Sequence, residues 1–168
     1  MPRTRTIALA AAALAIAGAA DASAAGKHRL VVRGDSTAIS GPCDARGCPL
    51  VLDDGRFRGT PGSGDYTATF TLKVAKQFPN GEGGICAPLR GRITLGTGTP
   101  NRLALAVSGN SCQDGAGPLE GSSFTGLATF RVKHGTGRYR YARGSGVAVF
   151  TEDTAHHHRM TLIGRLAR

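Results

Sequence analysis

ICAPLRGRITLGTGTPNRLALAVSGNSC, residues 85–112, decides how the rest of the chain is read. Ile85, Ala87, Leu89, Ile93 and Leu95 recur with a period of two, as do Leu103, Leu105 and Val107. That period lines one face of each of two strands. Gly96 to Asn101 between them is built of turn residues. A hairpin folded near Thr99 pairs positions whose numbers sum to 198, so Ile93 faces Leu105, Leu95 faces Leu103 and Gly91 faces Val107. The same register sets Cys86 opposite Cys112 on the other face. A directly opposed pair without ladder hydrogen bonds has the close approach a disulfide needs.

The remaining cysteines, Cys43 and Cys48, then close their own small loop in CDARGC. Zinc is the rival for these four residues, but a CxxxxC pair with no second close pair is poor zinc spacing. Two disulfides imply an oxidising compartment. The N-terminus agrees: Arg3 and Arg5 precede the apolar run IALAAAALAIAGAA, and Ala22-Ser23-Ala24 offers small residues for cleavage. Residues 1–24 read as a secretory signal peptide and residues 25–168 as one domain. The apolar run is too short to span a bilayer, and no cysteine follows it to carry a lipid. The expected location is extracellular, by bacterial-type export.

Outward from the hairpin the chain alternates strand and turn. DYTATFTLKV (65–74), SSFTGLATFRVK (122–133), GVAVFTE (146–152) and HRMTLIGRL (158–166) carry strand periodicity, and KHRLVVR (27–33) and PLVLDD (49–54) are shorter candidates. RGD (33–35), FRGTPGSG, PNGEGG, DGAGPLEG and HGTG punctuate them. Outside the signal no segment has helical periodicity. The expected fold is all-β: an eight-stranded antiparallel up-and-down β-barrel, disulfide-stabilised, which leaves no open sheet edge.

HGTGRYRYARGSGVAVF (134–150) is the densest stretch of glycine, arginine and aromatic residues. From the residues alone it is a turn and plug. Gly135 and Gly137 let the chain leave one strand sharply, Tyr139 or Tyr141 closes the barrel end with its hydroxyl in water, and Gly144 and Gly146 kink the next strand. Read after FTGLATFRVKHG, the stretch GTGRYRYARG resembles the dirigent and allene oxide cyclase barrel superfamily, over roughly residues 122–150. The resemblance implies an eight-stranded barrel around a mostly apolar cavity that positions a reactive small molecule. It matches Arg143 to a pocket arginine, and with Tyr139, Tyr141 and Arg138 of the same stretch this residue makes up the ligand-pocket candidates. Arg138 stands where dirigent members often carry an acid, a departure that weighs against acid-assisted dirigent chemistry.

The formal charge of +10 falls to about +9 once Arg3, Arg5 and Asp21 leave with the signal. That field suits anionic partners, although the cations are scattered rather than run together. His156 and His158 in extended chain share a face about 6–7 Å apart, a weak metal candidate for which nothing in the sequence places a third ligand. There is no GxSxG or HExxH motif, and GTGRYR lacks the last glycine of a phosphate loop. The sequential acids Asp53-Asp54 and Glu152-Asp153 point to opposite strand faces. No cofactor is expected, and catalysis is left open. Three functions follow: binding a small apolar or amphipathic molecule in the barrel, a cyclase or radical-steering enzyme using the same cavity, or an extracellular interaction protein that binds anionic polymer.

Overall fold

The computed structural model describes residues 27–44, 47–81, 83–113 and 123–167. The export signal assigned to residues 1–24 lies outside them. The strands are β1 (Lys27–Ser40), β2 (Cys48–Gly59), β3 (Gly62–Leu72), β4 (Phe78–Pro79), β5 (Ile85–Leu95), β6 (Leu103–Gln113), β7 (Phe124–Gly135), β8 (Arg143–Glu152) and β9 (His157–Ala167). Consecutive long strands pair antiparallel, β1 pairs with β9, and β3 pairs with β5, so eight strands close into an up-and-down barrel. The two-residue β4 lies on the end of β5, where Phe78 pairs with Cys86.

The expected hairpin is present in the expected register: Ile93 pairs with Leu105, Leu95 with Leu103, Gly91 with Val107 and Cys86 with Cys112. Both disulfides form, Cys86–Cys112 with Cα atoms 3.9 Å apart and Cys43–Cys48 with 4.1 Å. Two stretches read as turns are strand. RGD lies inside β1, which pairs continuously with β9 on one side and with β2 on the other, the β2 register shifting between Asp35 and Thr37. FRGTPGSG contains only a two-residue turn, Thr60-Pro61, between Gly59 and Gly62. In both places ladder hydrogen bonds to neighbouring strands outweigh weak local strand propensity.

The interior is filled by side chains. Phe70 on β3 and Phe150 on β8 stand four strands apart around the ring, yet their centroids are 5.1 Å apart in an edge-on contact. They therefore meet across the barrel's diameter. Val32, Leu52, Tyr66, Ile93, Leu105 and Leu162 fill the levels around them and are fully buried. Inward glycines make the room. A Cβ on Gly55 would stand 2.4 Å from the Tyr66 ring, and one on Gly164 would stand 2.8 Å from Phe130. Large rings opposite glycines are how a small barrel packs its lumen solid.

Candidate functional site

Three turns are stitched together at one end of the barrel. Thr136 donates its hydroxyl to the Pro100 carbonyl at 2.7 Å and accepts the Arg102 amide at 3.0 Å. The Asn101 side-chain oxygen accepts the Arg138 amide at 2.9 Å. Gly137, at φ +53°, makes this approach: a Cβ there would lie 2.3 Å from that same Asn101 oxygen. Tyr139 is buried, its hydroxyl donating to the Pro61 carbonyl at 2.7 Å, and the Arg138 guanidinium donates to the same carbonyl.

The plug in HGTGRYRYARG is thus Tyr139, and its hydroxyl is not in water, as expected from sequence, but bonded under the β2–β3 turn. Gly135 does not supply a positive φ; it is small because a Cβ would meet the Tyr139 carbonyl at 2.1 Å. Gly144 likewise lies against the Arg165 carbonyl. Tyr139→Phe is expected to cost about 1 kcal/mol, since Arg138 still satisfies Pro61. Urea unfolding of the two proteins checks the value.

The other pocket candidates face outward. Tyr141 is 74 % exposed, with the Arg140 guanidinium 5.5 Å from its ring centroid. Arg143 is exposed on the first residue of β8. They line a groove made by a parting of strands. β7 and β8 pair from Phe124–Glu152 to Arg131–Ser145 and no further. Beyond that point β7 continues beside β6 to Gly135, while β8 begins at Arg143 beside β9. The gap is an open groove of about 760 Å³, lined by Arg131, Lys133, His134, Arg140, Tyr141 and Arg143 among others.

The groove's cations continue around the barrel. In ladder register Arg131 stands beside Ser145, Ser145 beside Arg165 and Arg165 beside Arg29, and all four are exposed. Arg29 and Arg165 are directly opposed like charges, an arrangement that costs stability in a sheet. Among the described residues Arg56 pairs with Asp65, and His156 and His157 lie against Glu152 and Asp153; none of these contacts takes in a groove cation.

The opposite end holds a polar tier inside the barrel. Gln113, Phe124, Glu152, His158 and Ser36 follow one another across five neighbouring strands. Gln113, Glu152 and His158 are buried, and Tyr66 donates its hydroxyl to Ser36 at 2.9 Å. Burial of Tyr66 raises its pKa above the usual value. His158 packs its ring 5.7 Å from Phe150, and its Nδ1 is buried with no hydrogen-bond partner among the described residues. Desolvation pushes its pKa down from 6.5 to about 4.

The histidine pair does not converge as a metal site. His156 stands in the β8–β9 turn at φ +61°, its Nδ1 2.8 Å from Glu152 Oε1, whereas His158 points inward on β9. Among the described residues no group of three or more metal-ligating side chains gathers. The inward acid and histidine were missed by the sequence reading, although the signal was there: alternation with Phe150 places Glu152 inward, and alternation with Met160 and Leu162 places His158 inward. The chain matches no family model, no curated protein and no solved structure.

Proposed function

We propose that the protein is a non-catalytic extracellular module that holds an anionic polymer against its outer surface, in the groove between the parted ends of β7 and β8. The observation that carries this reading is the gathering of Arg131, Lys133, Arg140 and Arg143 around one groove, with no carboxylate paired to them among the described residues. Three of the four are arginines, whose planar fork suits carboxylate, sulfate and phosphate groups. Exposed Tyr141 adds a flat apolar surface beside them for the polymer's backbone.

The lumen supports the small-molecule and cyclase readings less well, because Phe70 and Phe150 meet across it and Tyr139 closes one end. Arg143, which the dirigent-like resemblance would place in a pocket, is exposed on the exterior. The two disulfides suit an oxidising location, and no helix among the described residues is long and apolar enough to cross a membrane. The segment 1–24, which reads as an export signal, supports the same extracellular location.

Titration with fluorescent dextran sulfate, against neutral dextran, tests the reading. Arg131→Ala, Lys133→Ala, Arg140→Ala and Arg143→Ala combined are expected to lower affinity at least roughly thirtyfold while leaving the thermal midpoint near that of the parent. Equal affinity of parent and variant would remove the groove from the binding site.

A further inference from the structure

The outer surface next to the groove carries a contiguous aliphatic strip. Leu127 on β7 pairs with Val149 on β8, Val147 on β8 with Ile163 on β9, and Ile163 with Val31 on β1. Directly paired residues point to the same side of a sheet, as do residues two apart on one strand, so these five form one patch. Leu127 is 64 % exposed, Val147 44 % and Ile163 43 %, with Val149 and Val31 half-buried between them. Strands stand about 4.8 Å apart, so the strip runs some ~14 Å across four strands. Single exposed aliphatics are ordinary on a protein surface; three exposed and two half-buried ones in adjoining ladder rows, on the convex side of a barrel with a full core of its own, are not explained by folding.

Arginines frame the strip on both sides. Toward the plugged end runs the row Arg131, Ser145, Arg165 and Arg29. On the other side Arg33 pairs with Thr161, and Arg159 pairs with Asp35, the one acid placed on this face by the pairing of the four strands. Five exposed arginines therefore surround the aliphatics, with a single aspartate among them.

From this we infer that the β7–β8–β9–β1 face docks on a lipid surface bearing anionic headgroups. The aliphatic side chains enter the headgroup–acyl boundary and the arginine rows pair with lipid phosphates around them. The charge pattern selects this occupant. A second copy would set one arginine-framed face against another, whereas a hydrated polymer would match the arginines and leave the aliphatics unused. A bilayer with acidic lipids meets both. The inference does not depend on the polymer-binding groove, whose residues lie at the plugged end of the same face and share only Arg131 and Ser145 with it.

Co-sedimentation with vesicles of equal parts phosphatidylglycerol and phosphatidylcholine, against pure phosphatidylcholine, tests it. The parent protein is expected to partition onto the acidic vesicles and not onto the neutral ones. Leu127→Thr, Val147→Thr and Ile163→Thr combined keep a β-branched side chain on the strand surface. That variant is expected to lose at least roughly tenfold in partition, with its melting curve and its dextran sulfate affinity retained. The converse is expected of Arg140→Ala with Arg143→Ala, which weakens dextran sulfate binding and leaves vesicle binding in place. Failure of the polymer reading alone is thus separable from failure of this one. Unchanged vesicle binding by the threonine variant, absence of parent binding to acidic vesicles, or a dimer in solution that the threonine variant dissolves would each overturn the assignment.

Discussion

Cys86→Ser with Cys112→Ser is expected to lower the unfolding free energy by about 3.5 kcal/mol, and Cys43→Ser with Cys48→Ser by about 2 kcal/mol. The difference comes from the unfolded chain. The first bridge joins residues 26 apart and the second residues 5 apart, so the first removes more loop-closure freedom before folding starts. The first also ties β5 to β6 near the end of their shared ladder, where Cys86 is buried. Urea unfolding of the two double variants beside the parent measures both costs. A smaller loss for the Cys86–Cys112 variant than for the Cys43–Cys48 variant would mean that loop entropy does not order the two bridges.

Acid is expected to loosen the barrel by about 3 kcal/mol through one residue. The unfolded chain protonates His158 near 6.5, but in the folded barrel the imidazole takes a proton only near pH 4, because burial against Phe150 penalises the charged ring. Between those values the unfolded state holds more protons, so stability is full above about pH 6.5 and falls as the pH drops toward 4. The neighbours that face this level are Glu152, bonded to His156, and the Tyr66–Ser36 pair. His158→Leu fills the same apolar space without a titrating nitrogen. Its loss of stability between pH 7 and pH 4 should be smaller than the parent's by about 3 kcal/mol. Equal losses in the two proteins would place the acid sensitivity elsewhere.

Much of this architecture can be read from residue order because a β-barrel repeats one simple rule. Alternation marked the long strands, and one hairpin sum gave the β5–β6 register together with a disulfide. The rule was obscured where glycine replaces the inward residue. In RGDSTAIS, Gly34 is inward because the Tyr66 ring occupies the space a Cβ would take, so an apolar alternation is absent although the strand continues. Gly144 and Gly146 break the pattern at the start of β8 in the same way. Counting back from Phe150 by twos puts Gly146 and Gly144 inward and therefore Arg143 outward, but the run of glycines reads locally as a hinge.

The groove was less legible for a different reason. Its cations are spread along the sequence from Arg131 to Arg143 and gather only because β7 and β8 stop pairing at Arg131–Ser145. That parting follows from the Tyr139 turn being drawn under Pro61, a contact between residues 78 apart. No local pattern encodes it. The aliphatic strip has the same character: Leu127, Val147 and Ile163 are unremarkable along the chain and become neighbours only through the register of two strand pairs.

The proposed placement of the function outside a filled barrel has a direct thermodynamic signature in the salt dependence of dextran sulfate binding by the parent protein. With four cations engaged, the affinity should fall by roughly a factor of 10 or more for each threefold increase in salt between about 50 and 500 mM, since each contact releases bound counterions. That steep decline is the result predicted here. Affinity that holds constant across the same range, or binding of neutral dextran as tight as that of dextran sulfate, would contradict it.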